Sequence, residues 1–372
     1  MREPGVAVRI LFTTVGLPGH FFPLVPLAWA CRARGHQILV ATTDDFRPTV
    51  LRAGLPACSW SSSGGIADVA ATDGVPAGEK RFAHGLAFAQ IARRSLPGAE
   101  ALLRDWRPDL VVSERAELAG PLAASAGGVP RAELHWGAAE LPEYQAAWEA
   151  EWGGLPFGAA DVVLNPWPPS LRAAYAENHR SIRHVGYNGD ASVPGWLTGS
   201  RHPRRVCLTF GTLLPHLGSR DIGGLVVPLL HRLGSLGVEV VVAIDDRVAA
   251  TWPALPGHVR HAGRLPLAEV LNTCAATVNH AGQGTSLTAL AAACPQVMVP
   301  QFDDQFDNAE TVAKGGPGIV LLPEETTTEA IYRACRTVLE SAEYRTAAAQ
   351  VSAEIATQPS PADVAATLED WF

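Results

Sequence analysis

The six cysteines (Cys31, Cys58, Cys207, Cys274, Cys294, Cys335) form no CxxC pair. Neither a zinc site nor a disulfide framework is indicated, and reduced thiols in a cytoplasmic protein are the simple reading. Lys and Arg form no block and the net charge is −8, which argues against a surface that tracks nucleic-acid phosphates. An anionic ligand must then be held by local devices such as a helix N-terminus. Long apolar runs are also missing. The opening MREPGVAVRILFTT is too short for a membrane span and lacks a secretory cleavage pattern, so a soluble chain is expected. There is no short-period repeat, and Gly16-Leu17-Pro18-Gly19 is not GxGxxG, which disfavours a nicotinamide dehydrogenase.

What is present is alternation. Residues 6–13 are apolar and β-branched, and Gly16, Pro18 and Gly19 follow. A helix-compatible segment then spans residues 23–34, Gly35 stops it, and QILVAT at 37–42 reads as a strand. That is one βαβ unit. Further strands are expected at 109–113 and 131–136, with a helix at 118–126. A helical stretch at 83–106 should break or kink at Pro97. Residues 192–205 (SVPGWLTGSRHPRR) have no periodicity and read as a linker. The pattern restarts with strands at 206–210, 238–244, 276–279, 296–300 and 318–322. Continuous apolar strands between helices imply parallel sheets. The expected fold class is α/β with two Rossmann-like domains facing across a cleft. Residues 1–198 form the first domain, 204–358 the second, and 359–372 a helix that packs back on the first.

Two stretches carry most of the chemistry. His280-Ala-Gly-Gln-Gly-Thr285 leaves a strand and enters a helix at 286–293. Its glycines allow close backbone approach, and the helix start favours a diphosphate; the alternative is an ordinary βα turn. VMVPQFDDQ at 297–305 then places Asp304, Gln305 and Asn308 at the ligand-binding edge of an open sheet. Such side chains suit vicinal sugar hydroxyls, while a solvated N-cap cluster is the competing reading. Asp303, Asp304 and Asp307 superficially suggest a metal site. In the first domain His20 follows the first strand, and imidazole suits a general base near neutral pH; the competing role is to cap the next helix.

Taken together, HAGQGTSLTALAAACPQVMVPQFDDQFDNA, GRLPLAEVL, the FGT at 210–212 and GHFFPLVPLAWACRARGHQILVATT resemble the GT-B natural-product glycosyltransferases. The likeness is to the inverting, family-1-like group that places deoxysugars on aromatic polyketides of the angucycline type. It spans nearly the whole chain with its parts in the right order.

The resemblance implies that His280, Gly282, Gln283, Gly284 and Thr285 hold the donor diphosphate, with Thr212 opposite. It places Asp304 and Gln305 at the donor sugar, and Arg264 and Leu265 at the nucleobase, where many relatives carry an aromatic residue instead of Arg264. It makes His20 the catalytic base, with Glu114 its partner or, equally, a solvated loop residue. Phe21, Glu133, His135 and Trp136 fall on the acceptor side, between loops at 60–90 and 136–152. It implies a dTDP- or UDP-sugar as co-substrate, a hydrophobic aglycone, no cofactor and no metal. The expected reaction is inverting transfer of a deoxysugar, with dTDP favoured. A nucleotide-sugar epimerase or hydrolase and a non-catalytic partner protein are the alternatives. The sequence fixes neither the sugar nor the oligomeric state; a homodimer is one option it allows.

Overall fold

Strands β1 (Arg9–Thr13), β2 (Gln37–Thr43) and β3 (Ala57–Ser61) lie on one side of the first sheet. β4 (Leu110–Glu114), β5 (Arg131–Leu134), β6 (Val162–Asn165) and β7 (Arg180–Ser181) extend it on the other. The order is β3-β2-β1-β4-β5-β6-β7, with every pairing parallel. The second sheet holds β8 (Arg205–Thr209), β9 (Glu239–Ala243), β10 (Val259–Gly263), β11 (Ala276–Asn279), β12 (Gln296–Met298) and β13 (Gly318–Val320). Its order is β10-β9-β8-β11-β12-β13, again parallel. These contents come from a computed structural model that describes residues 7–61, 75–154, 158–199, 202–211 and 222–368.

The central strands are buried along both faces, as in LVVSE of β4 and RVCLT of β8, so helices must cover both sides of each sheet. Strand order reverses between β1 and β4 in one domain and between β8 and β11 in the other. Connections leave those two strands in opposite directions, which opens a crevice at their carboxyl ends.

Two details differ from the sequence-based expectation. The helix Lys80–Trp106 runs unbroken through Pro97. It is clamped along its length: a Cβ on Gly85 would lie 2.8 Å from Tyr144 Cα, and one on Gly98 2.1 Å from the Trp60 carbonyl oxygen. That packing offsets the lost proline hydrogen bond. The first helix is instead divided into Pro18–Phe21, a 3₁₀ turn Phe22–Leu24 and Val25–Ala33, with Pro23 and Pro26 at the segment starts where no N–H is needed.

Between the domains, described residues 192–199 and 202–204 hold only a 3₁₀ turn, Gly195–Leu197. The helix Pro361–Ala366 starts on a Ser360 capping box and buries Val364, Ala365 and Leu368 with Leu24, Val25 and Ala28 of the first domain. Across the cleft floor, Ala138, Trp167 and Leu171 pack with Ala281, Leu287, Leu290, Ala309 and Val312. No helix among the described residues is long and apolar enough to cross a membrane.

His184 sits in this seam. Thr288 gives its hydroxyl proton to the Gly284 carbonyl, so His184 Nε2–H donates to Thr288 Oγ1 at 3.0 Å. Burial pushes the imidazole from 6.5 down to about 4. The unfolded chain takes that proton first, so the stability carried by the neutral ring is full above about pH 6.5 and fades toward pH 4. His184→Gln keeps an N–H for Thr288 and cannot titrate. Its urea-unfolding free energy between pH 6.5 and 5 is expected to fall less steeply than the wild type's, by up to about 1.4 kcal/mol per pH unit. Superimposable pH profiles would mean that the ring gains its proton in the folded state as easily as in the unfolded one.

Candidate active site

β1 and β4 lie side by side with Thr13 opposite Ser113, so the residues that follow them meet at the first crevice. After β1 the chain folds tightly through Gly16, where a Cβ would come within 2.6 Å of Thr43 Oγ1. It then enters the short helix Pro18–Phe21, which carries His20. Glu114 closes β4. The two side chains are 94 positions apart in sequence, and His20 Nδ1 stands 3.0 Å from Glu114 Oε2.

Glu114 is 1% exposed. Its Oε2 also accepts from Ala116 N at 2.8 Å and from Trp136 Nε1 at 2.7 Å, and its Oε1 from Val15 N at 3.3 Å. Burial pushes the carboxyl up, but His20 and these donors prevail and hold it below its ordinary value. A charged carboxylate on Nδ1 keeps the proton there and leaves the lone pair on Nε2, the arrangement a general base needs. The imidazole is flanked by Phe88 at 5.4 Å and by Trp136 edge-on at 4.8 Å. It remains 16% exposed. Three residues on, Glu117 accepts from Ala119 N and Gly120 N, and burial pushes it up to about 7.

The second crevice is built the same way. Asn279 at the end of β11 pairs with Thr209 at the end of β8, which brings His280 against Gly211. A Cβ on Gly211 would lie 2.6 Å from His280 Cε1, and one on Gly282 2.5 Å from Nε2. The two glycines are therefore the walls of a slot for the imidazole. Burial pushes His280 down to about 4, and its Nδ1 is buried without a protein partner. Ala281 takes a left-handed φ of 61°. Asn279 Oδ1 holds it by accepting from its N–H at 2.8 Å, and Asn308 Nδ2 by donating to its carbonyl at 3.1 Å. The helix Gln283–Ala291 starts from Gly282 with no side-chain cap, so its first N–H groups and dipole are available to an anion.

The structure gives several candidates other work. Phe21 is fully buried in the first core, edge-on to Phe46, and lines no cleft: one position along the helix turns it away from His20. His135 is 3% exposed, with Nδ1 on Glu133 at 3.1 Å and Nε2 on the Tyr175 hydroxyl at 3.0 Å. Neither nitrogen is left for an acceptor, while Glu133 is partly exposed. Trp136 reaches the site as a donor to Glu114. Gln283 Oε1 accepts from Gly137 N and, at 3.1 Å, from Trp167 Nε1, so its side-chain oxygen ties the domains together, while its Nε2 is buried without a protein partner and remains, with the backbone N–H, for an anion. Gln305 Oε1 is taken by Gln301 N at 3.0 Å. Asp304 is half-buried and pushed up to about 7 by desolvation and by Asp303, with Asn308 Nδ2 donating to it at 2.7 Å. Arg264 pairs with Asp190 at 2.8 Å, and the Leu265 side chain is buried. Gly284 and Thr285 occupy the first turn of the helix, which starts at Gln283, three residues earlier than the 286 expected from the sequence. Thr212 and residues 62–74 of the expected acceptor loop lie outside the described residues.

The sequence reading missed a cluster at Asp303, whose Oδ2 accepts from His84 Nδ1 at 2.7 Å and from the Tyr144 hydroxyl. Arg81 donates to the Asp303 carbonyl at 3.0 Å and pairs with Asp307. No local pattern announces contacts 219 positions apart. Asp303 and Asp307 thus meet cations and donors, not one another; among the described residues no three acidic, His or Cys side chains are grouped to hold a metal.

Comparison with known proteins agrees with the two-domain fold. Residues 78–211 and 227–371 match the N-terminal and C-terminal domain models described as erythromycin biosynthesis protein CIII-like. L-demethylnoviosyl transferase of Streptomyces niveus is 37% identical over 374 residues, covering 96% of this chain and 97% of the relative. The glycosyltransferase SsfS6 of Streptomyces sp. SF2575, solved with thymidine diphosphate, superposes with a TM-score of 0.83 at 32% identity, covering 98% of this chain and 99% of that one. The rhamnosyltransferase SpnG, solved with spinosyn aglycone, gives 0.85 at 28% identity over 97% and 100%.

The histidine slot can be tested without any ligand. Gly282→Ala is expected to destabilise the fold by about 1–3 kcal/mol through overpacking against the ring. In a His280→Ala background the same change should cost little, because the ring is gone. A double-mutant cycle by chemical denaturation measures the difference, and additive costs would mean that the glycine serves the backbone and not the ring.

Proposed function

We propose, for a chain that belongs to the erythromycin biosynthesis protein CIII-like family of GT-B glycosyltransferases, that it transfers a deoxysugar from a dTDP-linked donor to a hydroxyl of a hydrophobic aglycone with inversion. The observation that carries this reading is the buried His20–Glu114 pair. His20 Nε2 takes the acceptor proton as the acceptor oxygen attacks the anomeric carbon. The bond from that carbon to the diphosphate oxygen breaks, and thymidine diphosphate leaves. Glu114 fixes the tautomer and stabilises the imidazolium that forms. The relatives support this choice of substrates: an L-demethylnoviosyl transferase, and structural neighbours solved with thymidine diphosphate or a spinosyn aglycone.

The departing charge is met by the open N–H groups at Gln283–Thr285, by the helix dipole and by His280. One nitrogen of that ring is held by the Thr209 carbonyl. Nδ1 therefore donates to an oxyanion from the protonated ring, and nucleotide binding draws a proton onto His280. Asp304, at about 7, orients the sugar. These groups supply the stabilisation without a metal ion, and transfer is expected to continue in excess EDTA; loss on chelation with rescue by magnesium would end that part of the reading.

The two domains have separable jobs. His20→Ala should leave affinity for thymidine diphosphate intact and slow transfer to an aliphatic alcohol by roughly 10²–10⁴-fold. Glu114→Gln should slow it less. Its oxygen can keep the three donors on Oε2, but its NH₂ then confronts Val15 N–H. The double variant should be little worse than His20→Ala alone, because the pair acts as a unit. His280→Ala should do the reverse, weakening thymidine diphosphate by about 1–3 kcal/mol and abolishing the proton uptake seen by calorimetry in buffers of different ionisation enthalpy. Full transfer by His20→Ala would remove the base from the mechanism.

A further inference from the structure

We propose that Asp303 is a positioning residue through which the first domain sets the sugar-orienting loop of the second, with His84 and Tyr144 as the hands that hold it. This rests on the reading of Asp304 as a sugar ligand. The loop 301–305 belongs to the second domain, where Gln305 and Asn308 hold its ends, yet Asp303 at its centre is held from the first. Asp303 adopts a left-handed φ of 55°, uncommon for a residue with a side chain and costly by about 1 kcal/mol unless something holds it. Its Oδ2 takes two donors from two different first-domain helices: His84 of Lys80–Trp106 at 2.7 Å, and Tyr144 of Pro142–Trp152. Burial drives the Tyr144 phenol well above its ordinary value, so it is a neutral O–H donor at any working pH. Arg81 adds a bond to the Asp303 carbonyl at 3.0 Å. His84 and Asp303 are 5% and 9% exposed respectively, so water does not compete freely for these bonds.

The consequence falls on the next residue. Asp304 precedes the helix Gln305–Lys314, and the backbone turn at Asp303 aims its carboxylate. On its other side Asp304 lies against the Gly137 turn of the first domain, where a Cβ would be 3.5 Å from Asp304 Cβ. The turn that grips diphosphate is shaped differently, since Asn279 and Asn308 of the second domain hold Ala281. Nucleotide grip therefore does not depend on His84 or Tyr144, whereas sugar orientation does. Tyr144 also packs against Phe88 and Trp136, at 5.7 and 6.3 Å, the same rings that flank His20. The contact thus registers the sugar loop against the wall of the base.

The test uses His84→Ala, His84→Asn, Tyr144→Phe and Asp303→Asn in the full-length protein. Thymidine diphosphate affinity should stay within about twofold, since its contacts are untouched. Turnover should fall on the order of 10²-fold, the usual effect of a misplacement near 1 Å, and the share of donor lost to hydrolysis should rise. His84→Asn keeps an N–H near the Nδ1 position and should recover most of the loss. Hydrogen exchange at residues 301–305 should accelerate in His84→Ala and Tyr144→Phe. Nucleotide affinity falling in step with turnover, failure of His84→Asn to rescue, or unchanged turnover would overturn the proposal. If the wild type transfers no sugar, the functional reading fails on its own. The exchange data still decide the positioning role, and unaltered protection at 301–305 would overturn it.

Discussion

A parallel sheet that grows outward from its centre in both directions leaves its two central strands with connections departing to opposite sides. His20 and His280 are both attached to that gap, and the chain makes the gap twice. β1 and β4 present His20 and Glu114; β8 and β11 present Gly211 and His280. Neither pair is near in sequence, and in each the pairing of strands buried on both faces brings the two together. Rigid elements rather than loop contacts set the first geometry of the site. The loops then refine it.

Burial of acidic groups shows the refinement. Glu114 and Glu117 stand three positions apart in one buried loop. Glu114 collects three donors and an imidazole and is held below its ordinary value, while Glu117, with two backbone amides, is pushed up to about 7. Two adjacent carboxylates in a medium of low polarity cannot both ionise at no cost, so the one with more donors keeps the charge. The intervening Arg115 does not change that outcome, because its guanidinium is spent on the Trp136 and Ala139 carbonyls. The charge of Glu114 is thus reserved for His20. Asp304 is pushed up to about 7 for a related reason, beside Asp303 with Asn308 as its donor.

The architecture was legible because it is periodic. Apolar strands, Gly stops and the break at 192–205 marked two α/β halves, and β11 ended where the sequence placed its end. The Gly-rich turn at 280–285 was legible because glycine spacing is local. Pairs that depend on strand order were not, and His20–Glu114 entered by resemblance alone. Where the structure gives expected site side chains other work, the cause is shared. Phe21, His135, Gln283 and Gln305 are the right residue types at the right ends of strands, but a side chain's direction is decided by one residue of rotation or by a partner far along the chain. Phe21 turns into the core, His135 is consumed by Glu133 and Tyr175, and both glutamine oxygens are consumed by backbone N–H groups. Pro97 erred in the same sense, since local chemistry asked for a break and packing at Gly85 and Gly98 overruled it.

The scarcity of basic clusters has a mechanistic counterpart. In a chain of net charge −8, a mobile lysine at the diphosphate turn would hold ground state and departing group alike. Helix N–H groups act otherwise. Their field falls off within the first turn and does not follow a moving anion, so they favour charge only where it develops. The guanidinium of Arg264 is committed to Asp190, and the His280 ring sits in a slot whose glycine walls allow it no swing. Fixed donors of this kind need no reorganisation as the bond breaks, which is what makes them selective for the transition state over the bound donor. On the proposed function, the same rigidity would leave orientation of the sugar to the separate loop that Asp303 ties to the opposite domain: a grip that cannot adjust must have its cargo aligned by something else.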